Sequence, residues 1–226
     1  MKVTYYGHSC FAVYTGNTHL LFDPFITPNE RARHINVEEV AADYILVSHG
    51  HGDHIADAVA IAKRTSAIVI SNFEITVWLA KHGVASSHPL NHGGAFTFPF
   101  GRVKFVNAIH SSSLPDGTYG GNPGGFVVET PEGNFYYAGD TALTLDMQLI
   151  GEATPLKFCA LPIGDNFTMG PDDAVKAASY LRCNEILGVH FDTFPPIQID
   201  RSAAVRKFQA ASKNLRLLNP GESTAF

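Results

Sequence analysis

Ser48-His49-Gly50-His51-Gly52-Asp53-His54 gathers three imidazoles and one carboxylate within the six positions from 49 to 54. These are ligand types that zinc and its first-row neighbours prefer. The apolar run 44–47 before them predicts a buried strand, and the Ala-rich stretch 55–64 after them predicts a helix that Asp53 would cap. A polar surface turn is the ordinary alternative, but it gives no reason for so many metal-binding groups to be adjacent. The stretch therefore predicts a metal site on a strand-to-helix turn.

The composition favours one domain and a small partner. A chain of 226 residues, 45% of them hydrophobic, can bury one sizeable core, so we expect a single domain over 1–226. The net charge of −5 and the charged fraction of 16% do not favour binding to nucleic acid. We therefore expect a small-molecule substrate, and self-association into a homo-oligomer stays open.

The sequence does not predict export or membrane insertion. It contains no run of 18 apolar residues, and it begins with a strand-like Lys2-Val3-Thr4-Tyr5-Tyr6 instead of a signal peptide. Cys10, Cys159 and Cys183 are scattered, which is typical of inert buried thiols in a reducing compartment. A cytoplasmic location is therefore expected.

Strand and helix patterns follow one another in two halves. In the first half, strands are predicted at 2–6, 9–15, 18–23, 44–47 and 67–70, with helices at 55–64 and 73–82. In the second half, strands are predicted at 95–98, 102–109, 125–130, 134–138, 157–162, 185–189 and 215–218, with helices at 143–150, 171–182 and 200–212. Two strand-rich halves, each followed by helices, favour two sheets packed face to face with helices outside.

Three further metal-binding residue types stand at the ends of predicted strands. His110 follows strand 102–109, Asp140 follows strand 134–138, and His190 follows strand 185–189. Taken singly, such a residue is usually a capping or turn residue. Because strand ends can be presented together at one edge of a packed sheet, these three and the 48–54 turn favour a metal centre with two ions.

This pattern resembles the full ligand set of the metallo-β-lactamase superfamily. The resemblance implies an αβ/βα sandwich of two mixed β-sheets flanked by helices, with a dinuclear metal site at one edge. By position, the resemblance assigns His49, His51 and His110 to one metal, Asp53, His54 and His190 to the other, and Asp140 to a bridge between them.

The flanking motifs narrow the resemblance. Gly7-His8-Ser9-Cys10-Phe11, the stretch 162–171 and the ending 218–222 are similar to the small metal-dependent hydrolases related to ascorbate-6-phosphate lactonase. Diiron oxidoreductases of the superfamily carry Glu where His51 stands, and many β-lactamases lack the bridging carboxylate that Asp140 would supply. The resemblance therefore implies a hydrolase of a small ester, lactone, thioester or phosphoester.

Other functions stay open at this point. A phosphodiesterase or nuclease for small nucleic acids is the alternative hydrolase, a diiron-type oxidoreductase is a second alternative, and a non-catalytic metal-binding scaffold is a third. The expected cofactors are two divalent metal ions. Zinc comes first, with manganese, nickel or iron as alternatives, because histidine and carboxylate bind all four.

Two divalent cations explain how such a chain would hydrolyse its substrate. One divalent cation lowers the pKa of its bound water toward about 7, and a second cation beside it orients the resulting metal-bridging hydroxide at neutral pH. Asp53 is a candidate catalytic residue that orients this nucleophile or shuttles a proton. His8 has two interpretations: a catalytic residue near the metals, as in the subgroup that the chain resembles, or a turn histidine that holds the first hairpin.

The stretch 111–125 predicts a long loop rich in Ser, Gly, Pro and Asn. Because it begins directly after His110, its first residues must lie beside the metal site. Its composition gives it little apolar surface for permanent docking. We therefore expect 111–122 to be a mobile lid that shapes substrate choice.

Overall fold

Two seven-stranded β-sheets pack face to face in the computed structural model, which describes residues 1–226. In sheet order, the first comprises β14 (Ser223–Ala225), β1 (Lys2–Gly7), β2 (Cys10–Thr15), β3 (Thr18–Phe22), β4 (Tyr44–Leu46), β5 (Ile68–Asn72) and β6 (Ser87–Leu90). The second comprises β13 (Asn214–Arg216), β12 (Glu185–Val189), β11 (Phe158–Pro162), β10 (Gly133–Tyr137), β9 (Gly124–Thr130), β8 (Gly101–Asn107) and β7 (Ala95–Phe98). Both sheets are mixed, so the predicted sandwich is confirmed.

Six α-helices flank the sheets. They are α1 (Gly52–Ile55), α2 (Ala58–Thr65), α3 (Phe73–Lys81), α4 (Asp146–Ala153), α5 (Pro171–Tyr180) and α6 (Arg201–Ala210), with 3₁₀ turns at Glu30–Ala32, Val37–Glu39 and Pro195–Ile197. None of the helices is long and apolar enough to cross a membrane.

Strand alternation builds one core between the sheets and another under the first helix layer. On β3, Leu20 and Phe22 point into the core between the sheets, whereas Leu21 packs with the residues of α2 and α3. Phe22 stacks on Phe11 with ring centroids 4.6 Å apart and meets Tyr137 of the second sheet edge to face at 5.5 Å. Successive side chains of a strand face opposite sides, so β3 contributes to both layers.

The strand directions bring several loops of each sheet to one edge. In the first sheet β3, β4 and β5 run parallel, and β1 shares their direction because the antiparallel β2 separates it from β3. In the second sheet β10, β11 and β12 run parallel, and β8 shares their direction through the antiparallel β9. The carboxyl ends of strands that share a direction meet, so the loops after these strands can present side chains jointly.

The helix predicted at 55–64 is two helices, and the prediction that Asp53 caps it is wrong. His51 occupies the cap position of α1, Asp53 lies in its first turn, and Asp57 precedes α2. The Asp57 carboxylate does not cap α2 either, because it accepts hydrogen bonds from the backbone N–H groups of Ile26 and Thr27 at 2.6 and 2.9 Å. Asp53 is thus left free of any capping role.

The last strand ties the end of the chain to its beginning. β14 pairs with the outer edge of β1, with Lys2 opposite Ala225. The adjacent Phe226 ring stacks on Phe158 of the second sheet at 4.3 Å, and the Arg216 guanidinium lies 4.1 Å from the centroid of the Phe226 ring. Neither β14 nor β6 was predicted, since both are short and contain few β-branched or aromatic residues.

Candidate metal centre

All seven predicted metal ligands lie together at one edge of the sandwich, six of them in two groups and the seventh, Asp140, between the groups. His49 and His51 on the turn after β4 meet His110, which follows β8, and their donor atoms lie within 4.8 Å of one another. Asp53 and His54 on α1 meet His190, which follows β12, and His8 joins this second group within the same limit. Their roles as metal ligands stay a prediction.

Asp140 stands between the two groups. Its Oδ2 lies 2.9 Å from His190 Nε2 and 3.2 Å from His54 Nε2, and 3.6 and 3.9 Å from the Nε2 atoms of His110 and His49. The residue is 2% exposed. One carboxylate oxygen therefore faces imidazoles of both groups, as a bridging ligand must.

Asp23, which was not predicted from the sequence, is the buried acceptor beneath the centre. Its Oδ2 accepts hydrogen bonds from Ser48 Oγ at 2.5 Å, His54 Nδ1 at 2.7 Å and Tyr137 Oη at 2.5 Å. Its Oδ1 accepts one from the backbone N–H of Ser48 at 2.7 Å. The carboxylate is fully buried, so these four donors replace water around it.

This network fixes the imidazole tautomers of one residue in each group. Because the Ser48 hydroxyl donates to Asp23, its oxygen accepts from His49 Nδ1–H, 2.9 Å away. His54 donates its own Nδ1–H to Asp23. Both rings therefore carry a proton on Nδ1 and direct Nε2 into the centre, which is the usual arrangement for histidines that bind metals.

His8 lies inside the second group. Its Nε2 is 3.0 Å from Asp53 Oδ2, its Nδ1 is 2.9 Å from Thr193 Oγ1, and its ring centroid is 4.2 Å from that of His190. The side chain has no exposed surface, whereas that of Asp53 is 28% exposed. Thr193 was not predicted, since no sequence pattern marks a lone threonine after a strand.

The donor set fits divalent cations. Three buried side-chain atoms of these residues have no hydrogen-bond partner, namely His54 Nε2, Asp140 Oδ1 and His190 Nδ1. Orphaned polar atoms of this kind are rare in protein interiors, and a cation bound in the centre would satisfy His54 Nε2, which lies 3.2 Å from Asp140 Oδ2. Imidazole and carboxylate donors suit zinc, manganese, nickel and iron alike.

Burial and neighbouring charges keep most of the centre ready for metal. Burial, reinforced by neighbouring histidines, lowers the pKa of His49, His51 and His110, so these rings stay neutral. Burial opposes ionisation of Asp140, but His190 and His54 outweigh it and lower the pKa of its carboxyl group. Burial also disfavours the charged form of His54, yet Asp140 and Asp23 raise its pKa well above the usual value.

Metal-free protein should lose stability as the pH falls from about 6.5 to about 4. Burial, followed by His190, lowers the pKa of His8 from 6.5 to about 4. Between these values the unfolded chain binds a proton that the folded chain refuses, so His8 alone removes roughly 3 kcal/mol from the free energy of unfolding. Urea unfolding at pH 7, 6, 5 and 4 measures this, and His8→Gln should flatten the dependence. Parallel curves for the two proteins would contradict the prediction.

The 111–122 segment is anchored in the structure, unlike the weakly docked loop that we expected. Leu114 is 4% exposed and packs into the core under α2 and α3, and Ser112 Oγ accepts a hydrogen bond from Gly50 N at 3.0 Å. Asn72 at the end of β5 donates its side-chain Nδ2 to Gly120 O at 2.7 Å. The segment thus docks through the buried side chain of Leu114, which its mostly polar composition did not suggest.

Comparison with known sequences identifies the family. The family model described as "Beta-lactamase superfamily domain" matches residues 2–190. A protein of Flavobacterium johnsoniae described as a "UPF0173 metal-dependent hydrolase" is 54% identical over 223 residues, which cover 99% of each chain. A protein of Thermus thermophilus with the same description is 48% identical over 222 residues, or 98% of this chain and 97% of the other.

Solved structures match the fold over its whole length. Igni18 of Ignicoccus hospitalis, described as a metallo hydrolase, superposes with a TM-score of 0.90 at 33% identity, covering 100% of this chain and 97% of that one. An isothiocyanate hydrolase from Delia radicum gut bacteria has a TM-score of 0.81 at 20% identity, covering 100% and 99%, a level at which the likeness concerns the fold alone.

Proposed function

Since the chain belongs to the β-lactamase superfamily, we propose that it is a dinuclear metal-dependent hydrolase of a small ester, lactone, thioester or phosphoester. The single observation that carries the proposal is the position of Asp140 Oδ2 between the two donor groups, 2.9 Å from His190 Nε2 and 3.6 Å from His110 Nε2. A carboxylate oxygen that faces both groups is placed where it can bind two cations held side by side, which supports the proposal.

The chain's own residues orient the reaction. When bound, two divalent cations supply an acidified water molecule and polarise the bond that is cleaved. Asp53 is the carboxylate of the centre that solvent reaches, because its side chain is 28% exposed and that of Asp140 only 3%. Burial opposes ionisation of Asp53, but the hydrogen bond with His8 outweighs it and lowers the pKa of the carboxyl group. Asp53 is thus ionised and accessible, as a proton acceptor must be.

The surroundings of the centre suit a small organic substrate. Ile109, directly before His110, is 56% exposed, and Phe194, whose ring lies 5.5 Å from that of His8, is 37% exposed. Apolar residues at the rim of a polar site favour a substrate with an apolar portion. They offer no positive charge to the phosphates of a small nucleic acid, which favours the small-molecule hydrolase over the phosphodiesterase or nuclease.

A substrate panel tests the proposal. Protein stripped of metal and reconstituted with zinc or manganese should hydrolyse at least one class among lactones, thioesters, phosphomonoesters and phosphodiesters. Chelation should abolish that activity, and added metal should restore it. Selective cleavage of short oligonucleotides would favour the nuclease instead, and visible absorbance with iron would favour the oxidoreductase. Two bound metals without hydrolysis of any class would overturn the proposal.

Tyr119 of the 111–122 segment should influence which substrates are preferred. It is 63% exposed, and the following Gly120 packs against the 48–54 turn. Loss of an aromatic contact is worth roughly 0.5–1.5 kcal/mol, so Tyr119→Ala should change kcat/KM by ~2- to 12-fold, unevenly across the panel.

Tyr14→Ala is the matched control for this substitution. Tyr14 is also exposed, and like Tyr119 it donates its hydroxyl to the Oδ1 of an asparagine three residues later. It lies on β2, which runs antiparallel to β3 and so ends at the opposite edge of the sheet. Equal effects of the two substitutions on every substrate would contradict a role in selectivity.

A further inference from the structure

We propose that His8 is a direct ligand of the second metal, the one assigned to Asp53, His54 and His190. The inference rests on the dinuclear centre proposed above and deepens it. It makes the two positions unequal, because the second then has one more protein ligand than the first.

The distances around His8 match those between ligands of a single ion. Two neighbouring ligands of an octahedral ion with bonds of ~2.1 Å are about 3.0 Å apart, and two opposite ones about 4.2 Å. His8 Nε2 lies 3.0 Å from Asp53 Oδ2, and His190 Nε2 lies 2.9 Å from Asp140 Oδ2. Asp53 Oδ2 and His54 Nε2 are 4.0 Å apart, as opposite ligands would be.

The outer nitrogen of His8 has the partner that a metal-binding histidine requires. Its Nδ1 is 2.9 Å from Thr193 Oγ1, and that hydroxyl can in turn donate to the backbone oxygen of Phe191 at 3.4 Å. Without metal, Nε2–H donates to Asp53; with metal bound, donation from Nδ1–H to Thr193 would put the ring proton on Nδ1 and leave the Nε2 lone pair facing the second group. A hydrogen-bonded outer nitrogen is the usual companion of a metal-binding inner one.

The backbone holds His8 in place at an energetic cost. Its φ angle of 55° lies in the left-handed region, which costs a residue other than glycine on the order of 1 kcal/mol or more. Its carbonyl oxygen accepts hydrogen bonds from His190 N at 2.8 Å and Tyr5 Oη at 2.9 Å. One of these donors belongs to a predicted ligand of the same ion, so His8 and His190 are locked together.

The extra ligand has a consequence for metal choice. The first position has three histidines, a number found in catalytic zinc sites, with Asp140 Oδ2 3.6 Å from the Nε2 of one of them, His110. The second position has His8, Asp53, His54, His190 and Asp140, and five protein ligands suit a metal that prefers six-coordination, such as manganese or iron. The second position should therefore select manganese over zinc more strongly than the first.

Cadmium NMR tests the proposal directly. Protein labelled with ¹⁵N-histidine is stripped of metal and loaded with ¹¹³Cd²⁺ alone, and one-bond coupling to cadmium is measured at each imidazole nitrogen. We expect six coupled histidines, namely the five of the predicted ligand set and His8. His8→Ala should leave five. His19→Ala is the matched control, because His19 also contacts a carboxylate, that of Asp43 at 3.3 Å, but outside the centre, and it should leave six.

The outcomes separate this inference from the function on which it rests. Wild-type protein that binds two cadmium ions but shows five coupled histidines, without His8, would overturn the inference and leave the hydrolase intact. His8 would then be a positioning residue that holds Asp53. Wild-type protein that binds fewer than two ions would overturn the dinuclear centre itself. The wild-type spectrum alone decides between these results, so the test does not depend on how well the His8 variant folds.

Discussion

Replacing Asp140 by alanine should reduce the metal content from two ions per chain to about one and lower kcat/KM on the order of 10³-fold. Asp140 is 2% exposed, and its carboxylate lies within 4 Å of histidines from both donor groups. Its removal leaves these imidazoles without the anion that offsets the charge of two adjacent cations. Loss of a principal electrostatic group typically costs an enzyme about 10²–10³ in rate, and loss of one ion adds to it.

Elemental analysis after gel filtration, together with activity on the best substrate of the panel, measures both effects. Asp146→Ala is a suitable control, because Asp146 is also an aspartate of the region after β10, and its carboxylate accepts only from Asn107 Nδ2 at 2.8 Å. If the Asp140→Ala protein retained two ions per chain and full activity, that result would contradict the dinuclear assignment.

The second large effect should come from Asp23, and it should appear in stability as much as in activity. Asp23→Ala removes the acceptor of four hydrogen bonds and leaves the donors of Ser48, His54 and Tyr137 buried without partners. Breaking a buried charged network of this kind typically costs about 3–5 kcal/mol. The proton on His54 Nδ1 would lose its partner, so the affinity of the second position for metal should fall by roughly 10- to 100-fold.

Urea unfolding of the metal-free protein at pH 7 measures the stability effect, and competition with a chromophoric chelator measures the affinity. Asp43→Ala is the matched control, since Asp43 also contacts a histidine, His19, but at the surface. A loss of less than about 1 kcal/mol in the Asp23 variant, similar to that of the control, would show that the buried network contributes little.

The parts of the fold that could be predicted are those with a periodic pattern. Apolar runs and alternation located most strands, and the two halves led to the sandwich. The break between α1 and α2 was missed because residues 55–64 are Ala-rich throughout, and helix propensity does not reveal that Asp57 binds the backbone of Ile26 and Thr27. That contact joins residues distant in sequence, so no local pattern announces it.

The same contrast holds for the candidate centre. All seven predicted ligands could be picked out from the sequence. Four of them are clustered histidines and a carboxylate, a combination that is rare by chance, and the other three are histidines and a carboxylate at the ends of predicted strands. Asp23 also follows a strand, but as one carboxylate without neighbouring histidines it resembles any turn residue. The position of His8 among the second group depends on its left-handed backbone and on the pairing of β1 with β2, which only the folded chain defines.

The pairing of β14 with β1 also affects the order in which the chain can fold during synthesis. β1 is translated before every other strand of the two sheets, whereas Ser223–Ala225, which cover its outer edge, are translated after all of them. Until then the nascent chain exposes an unpaired strand edge, a template for pairing with other chains. The first sheet can therefore be completed only after the second sheet has been translated. The pairing of β14 with β1 is thus a late step in folding, between residues far apart in sequence.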